Sequence, residues 1–261
     1  MSTLISFHAH PDDECLVTGG TIAQLASQGH RVILVVATGG EEGEYPEGII
    51  SSRHELGPLR RKELENSAEI LGIAQIHFLG YRDSGMAGEA TNSNPSCFAQ
   101  ADIEAAAGRL AEILVAEGAD AMTIYDENGG YGHPDHVMVH RVGLVAAELS
   151  GVGDVLAATM NRDYLAELIR IASEKNPEVI PEEMRGDFDT SNFGMPSSVI
   201  NTEIDVSDFV DAKYEALSAH KSQIGSTGFA MSLGRELFGA AFSKEWFISA
   251  QLKGERRTAI F

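Results

Sequence analysis

The sequence predicts an α/β protein, a Rossmann-like three-layer sandwich with a mostly parallel sheet, and three observations point there. Short apolar or β-branched runs alternate with helical periodicities along the first 160 residues. The most polar clusters follow directly on predicted strands, where an open α/β sheet keeps its crevice. The chain, with 261 residues and 43% hydrophobic side chains, is long enough to bury a core without disulfide staples.

Leu4–Phe7, the polar stretch HAHPDDE, Thr21–Ser27 and Val32–Ala37 read in turn as strand, loop, helix and strand, a βαβ unit. The order continues with a helix at about Leu59–Leu71, a strand at Ile76–Leu79, a helix at Ile103–Ala116 and a strand at Ala121–Tyr125. A helix from about Pro134 to Leu149 and a strand at Val155–Met160 follow. Such alternation implies parallel strands with helices on both faces. Three long loops, Thr38–Pro58, Gly80–Ala101 and Lys175–Ser198, are expected to wall a cleft. A last strand, Val199–Ile204, leads into a helix at roughly Val210–His220. The chain is read as one domain, 1–261, whose segment from about 190 onward completes the substrate cleft.

Nineteen Lys and Arg against thirty-nine Asp and Glu give a formal charge of −20, which repels nucleic acid and anionic membranes and favours a small-molecule partner. Cys15 and Cys97 are too few for a disulfide framework and lack zinc-knuckle spacing, so the cytoplasm is the expected compartment. The N-terminus has no basic region and reaches His8 and Asp12 before a signal-length apolar run forms. No apolar run approaches the ~20 residues of a membrane span. A homo-oligomer is compatible with the sequence.

Two clusters carry the chemistry: His10-Pro11-Asp12-Asp13-Glu14 after the first strand and His133-Pro134-Asp135-His136 after the fourth. Proline in second place favours a tight turn or helix start, so the first and fourth residues of each cluster can point one way. His10, Asp13 and one histidine of the second cluster then supply three N/O ligands and leave a tetrahedral position open, the pattern of a catalytic zinc. A metal also relieves the repulsion among three consecutive carboxylates. Asp12, free beside Asp13, is the candidate general base for water. A lone HPDD reads equally well as a turn with a helix-capping aspartate. The second cluster, preceded by Asn128-Gly129-Gly130-Tyr131-Gly132, argues against that reading. His8 and His140 are expected in the core or behind the ligands.

Ala9–Glu14 (AHPDDE) and Gly132–His136 (GHPDH) resemble the signatures of the PIG-L/LmbE-like zinc N-deacetylases. The likeness extends through Thr38–Glu44, Arg60–Leu64 (RRKEL), Arg82–Met86 (RDSGM) and His220–Gln223 (HKSQ), nearly the whole chain, and is nearest to the mycothiol biosynthesis deacetylases and mycothiol-conjugate amidases. The resemblance implies His10, Asp13 and His136 as zinc ligands and Asp12 as general base. It implies that His133 faces the substrate, as oxyanion stabiliser or acid, with Asp135 holding its ring, and that Tyr131 adds a hydroxyl donor on a mobile loop. Arg60, Arg82 and Asp83 are implied as substrate contacts, though a surface charge is an equal reading of each. Glu42 and Glu44 read as a solvated acidic loop.

The expected reaction is therefore metal-assisted hydrolysis of an N-acyl group on an amino-sugar-like substrate. A two-histidine, one-carboxylate set also suits Fe(II). A thiol-conjugate amidase or a natural-product tailoring deacetylase shares the same inner motifs. A non-catalytic nucleotide- or metal-binding module is disfavoured, because HPDDE stands where a dinucleotide fold needs G-x-G-x-x-G.

Overall fold

A computed structural model describes residues 1–175, 189–191, 193–223, 230–231, 233–252 and 255–261. Most of the expected loop at Lys175–Ser198 lies outside the described residues. Strands β1 (Thr3–His8), β2 (Arg31–Thr38), β3 (Gln75–Tyr81), β4 (Ala121–Tyr125) and β5 (Asp154–Thr159) run parallel. Strands β6 (Thr202–Asp205) and β7 (Lys244–Ser249) complete a seven-stranded sheet in the order β3-β2-β1-β4-β5-β7-β6. β7 is antiparallel to both β5 and β6.

Period-two alternation distributes the strand residues between two helical layers. Ile5 and Phe7 of β1 and Ile33 and Val35 of β2 pack with Leu110 and Leu114 of α4 (Ile103–Glu117) and Val139 and Val142 of α6 (Pro134–Ser150). Leu4 and Val32 face the other way, toward Ile22 of α2 (Gly19–Ser27), Leu71 of α3 (Leu56–Leu71) and Leu217 of α8 (Val210–Ala219). The remaining helical pieces are α1 (Asp13–Val17), the irregular turn α5 (Gly129–Gly132), α7 (Arg162–Lys175) and a helix at Gly234–Phe242. Helix α4 starts where the Asp102 side chain accepts from the Ala105 N–H, and stops at Gly118, whose φ of 65° suits only glycine readily.

Helix α6 lies so close to the sheet that a Cβ on Gly143 would stand 2.4 Å from Ile124 Cγ2. Alanine has the better helix propensity, by about 1 kcal/mol. The clash with a stiff β-branched side chain in the core outweighs it, so Gly143→Ala is expected to lower stability by about 1–2 kcal/mol in urea titration.

Helix α7, the Gly234–Phe242 helix and β7 are not anticipated by sequence periodicity, and the last strand of the chain is β7 rather than Val199–Ile204. β7 is hard to read locally because Glu245 is 1% exposed inside it. Its carboxylate accepts from the Gly20 and Thr21 amides at the start of α2 and from Lys213 Nζ at 2.6 Å, partners more than thirty residues away.

The chain passes from β1 to β2 and β3 on one side and places β4 and β5 on the other. The switch between β1 and β4 opens a crevice beyond their carboxyl ends. Both motif clusters are delivered there. No helix among the described residues is long and apolar enough to cross a membrane.

Candidate metal centre and active site

β1 ends at His8, and the next turn carries His10, Pro11 and Asp12 to the start of α1 at Asp13. β4 ends at Tyr125, and a glycine-rich turn leads to His133, the N-cap of α6, with Pro134 in the first helical turn. Two segments from opposite halves of the chain thereby meet. The ring centroid of His10 lies 4.6 Å from that of His133 and 5.3 Å from that of His136, and the latter two are 5.1 Å apart.

Asp13 stands between two of these rings, with Oδ2 3.3 Å from His10 Nδ1 and Oδ1 3.3 Å from His136 Nε2. The His10 peptide N–H donates to Asp13 Oδ2 at 2.8 Å and fixes that carboxylate. His136 Nδ1 lies 3.2 Å from the Gly129 carbonyl, which can only accept, so Nδ1 carries a proton and Nε2 is the atom turned to Asp13. That Nε2 is buried and has no hydrogen-bond partner among the described residues. A neutral ring would turn its Nε2 lone pair to the carboxylate, and a cation bound between the two would satisfy both. The two 3.3 Å gaps, one to each oxygen of Asp13, bring both imidazoles onto one carboxylate.

His10, His133 and His136 form a donor set whose atoms all lie within 4.8 Å of one another, and His10, Asp83 and Asp135 form another. His133 is the weaker candidate, because its Nδ1 already accepts from the Asp135 N–H at 3.2 Å and Asp13 approaches both other rings more closely.

Behind the rings, Tyr125 stacks on His136 with centroids 4.4 Å apart and planes at 20°. Its hydroxyl meets His8 Nδ1 at 2.7 Å, and His8 Nε2 meets Ser6 Oγ and Thr18 Oγ1 at 2.9 and 3.1 Å. Burial pushes the His8 pKa down to about 4, so it stays neutral. His140 donates from Nδ1 to the Tyr125 carbonyl at 2.9 Å. Neither His8 nor His140 reaches the donor cluster.

Asp12 is the one non-glycine residue among those described with a left-handed backbone, at φ 109°. Such strain gathers at functional sites. Burial raises the Asp12 carboxyl to about 6, with Arg60 opposing and Asp13 adding to the rise.

Arg60, implied by the resemblance as a substrate contact, is 3% exposed and turned inward. Its guanidinium donates to Gly40 O at 2.8 Å, to Pro11 O at 2.5 Å and to Asp12 Oδ1 at 3.1 Å. Three acceptors of its own chain therefore hold it, and it acts as a clamp on the Asp12 turn. Asp83 is likewise buried, with Oδ1 3.4 Å from His10 Nε2 and its oxygens accepting from the Glu42 and Gly85 amides. Burial opposes its charge, but His10 and the Gly85 amide hold its carboxyl far below the usual range. Arg82 remains at the rim, pairing with Glu42 at 3.2 Å. The bonds from Asp83 N–H to Glu41 and from Glu42 N–H to Asp83 fasten two of the predicted long loops to each other beside the cleft.

Asp135 does not hold the His133 ring with its carboxylate. Its oxygens accept from the Ser84 amide at 2.9 Å and from the Ser84 hydroxyl, and one lies 3.2 Å from His10 Nε2. The backbone amide of Asp135, at the first turn of α6, is what meets His133. This N-cap bond leaves a neutral His133 with its proton on Nε2. Burial, then the neighbouring His10 and His136, lower its pKa to about 3, so the ring is a neutral donor. Tyr131 is 43% exposed, with its ring 4.9 Å from His136 and 6.3 Å from His133. Burial of its hydroxyl end and nearby Asp13 push its pKa upward, which keeps the phenol protonated. The turn that carries it requires glycine: at Gly129 φ is 63° and a Cβ would stand 2.6 Å from His136 Cβ.

A family model described as GlcNAc-PI de-N-acetylase (PIG-L) matches residues 5–147, more than half the chain and both motif clusters. The chain belongs to the PIG-L family. Relatives named 1D-myo-inositol 2-acetamido-2-deoxy-alpha-D-glucopyranoside deacetylase extend the likeness over the C-terminal third. The one from Acidothermus cellulolyticus is 40% identical, covering 94% of this chain and 88% of its own. The one from Thermobifida fusca is also 40% identical, covering 88% and 87%. Among solved structures, the N,N'-diacetylchitobiose deacetylase of Pyrococcus horikoshii superposes with a TM-score of 0.58 at 25% identity, covering 95% of this chain and 83% of that one. Like its PIG-L relatives, this chain is a deacetylase-type amide hydrolase with an α/β fold and a site able to hold a metal.

Sequence reasoning missed Tyr125 and Ser84 as parts of the site and gave Glu14 no role of its own. Glu14 was visible in the DDE run, and Ser84 in RDSGM, but their roles depend on partners 51 to 206 residues away.

Proposed function

We propose that this protein hydrolyses the N-acetyl amide of a 2-acetamido-2-deoxyglucosyl inositol, releasing acetate and the free amine, at one zinc held by His10, Asp13 and His136. The observation that carries the reading is the convergence of His10, His133 and His136 beside Asp13, whose oxygens lie 3.3 Å from His10 Nδ1 and His136 Nε2, with Asp12 adjacent. Zinc bound by these side chains supplies Lewis acidity, acidifying water and polarising the acyl oxygen. Asp12, with a carboxyl near 6, removes a proton from water as its oxygen attacks the amide carbon. His133 donates Nε2–H, and Tyr131 its hydroxyl, to the developing oxyanion. The C–N bond then breaks, and the proton taken by Asp12 passes to the leaving amine.

The substrate assignment rests on the named activity of the 40% identical relatives, which their high coverage supports. In this reading the whole chain is one functional unit, and the segment from about 190 completes the cleft: the Gly194 N–H donates to the Gly130 carbonyl at 2.6 Å, beside Tyr131. Arg82, at the rim, contacts substrate, whereas Asp83 and Arg60 shape the site from within. Both cysteines are free and buried, in keeping with a cytoplasmic enzyme. The test is acetate release from N-acetylglucosaminyl-inositol compared with cleavage of a thiol conjugate of the same sugar. Faster turnover of the first supports the proposal; exclusive turnover of the second replaces it with an amidase.

A further inference from the structure

The strained backbone of Asp12 is held from both sides. Its peptide N–H donates to Glu14 Oε2 at 2.9 Å, two residues along the same turn. The other oxygen of Glu14 accepts from Ser67 Oγ of α3 at 2.6 Å, from His220 Nε2 at the end of α8 at 2.9 Å, and from the Cys15 thiol at 3.3 Å. Glu14, Ser67 and His220 are all fully buried, so no solvent competes for these bonds. Nothing in the proton transfer uses them.

From this geometry we infer that Glu14, Ser67 and His220 form a positioning unit that fixes Asp12 in its left-handed conformation and so aims its carboxylate at the attacking water. The inference rests on the reading of Asp12 as general base. Left-handed backbone at a non-glycine residue persists only where its surroundings over-determine it. The bond to the Asp12 amide fixes the plane of the Pro11–Asp12 peptide, and rotating φ to an ordinary value carries that N–H away from Glu14. Glu14 in turn is free to swing unless Ser67 and His220 hold its second oxygen. Asp13 is secured independently, through the His10 amide and the two imidazoles, so this unit acts on the base and leaves the metal donors in place. His220 and Ser67 therefore are positioning residues from two distant helical elements, acting through Glu14 on one backbone amide.

The test is a double-mutant cycle between His220→Gln and Asp12→Ala, read as kcat and KM for acetate release together with zinc stoichiometry. A displaced catalytic group loses about 10²-fold for about 1 Å. His220→Gln is thus expected to lower kcat by about 10–100-fold with KM and zinc content unchanged, and to cause less than about a 2-fold further loss once Asp12 is alanine. Equal losses in both backgrounds, or a fall in zinc content, overturn the positioning role. Ser67→Ala removes a single donor and serves the same cycle if His220→Gln does not fold: a smaller loss that vanishes with Asp12→Ala supports the unit, and an additive one overturns it. If Asp12→Ala itself retains full activity, the general-base reading falls, and the positioning role with it. An inactive Asp12→Ala with additive His220 effects removes the positioning role alone.

Discussion

Asp12→Ala is expected to lower kcat for acetate release by about 10²–10⁴-fold while zinc content and KM stay near the wild-type values. Among the described residues no side-chain hydrogen bond joins Asp12 to the three proposed donors; its carboxylate bonds Arg60 and its amide bonds Glu14. The loss therefore falls on proton transfer. The pH profile carries a second signature of the same group. A general base works only when deprotonated, and burial raises the Asp12 carboxyl to about 6. Activity should accordingly fall as the pH drops through that region, and the residual activity of Asp12→Ala should lack this acidic limb. Stopped assays between about pH 4 and 8, about two units on either side of 6, check both statements.

His136→Ala is expected to abolish stable zinc binding. Removing a residue that only supports a ligand costs about 10–100-fold in metal affinity, and removing a ligand costs more. Chelator competition measures the change directly. The wild type should also gain thermal stability on adding zinc, because a ligand that binds only the folded state stabilises it by mass action, whereas His136→Ala should show no such gain. A variant that keeps zinc but loses activity would move His136 from the metal to the substrate.

The two donor-rich clusters were legible because each is local. HPDDE and HPDH each pack their donors into four or five residues, and their position after predicted strands brought them to one crevice through the switch between β1 and β4. The parallel strands were legible for the same reason, since β1, β2 and β4 are buried along nearly all their length and read as largely apolar runs. What escaped was whatever depends on remote partners. Arg60 looks like a surface cation at the start of a helix until Pro11, Asp12 and Gly40 fold over it. Asp135 was expected beside His133 because the two are near in sequence, but Ser84 and His10 claim its carboxylate. β7 hides behind a buried glutamate whose partners, Lys213 and the start of α2, lie elsewhere in the chain. In each case a charged side chain was legible as chemistry, while its direction was set by tertiary structure.

The most direct test of the central claim is anomalous diffraction at the zinc edge from crystals of the zinc-loaded protein. The account predicts one strong peak bonded to His10, Asp13 Oδ and His136 Nε2, with an open position facing Asp12 and His133. A peak bound elsewhere, or imidazoles of His10 and His136 turned to separate partners with no ion between them, would contradict it.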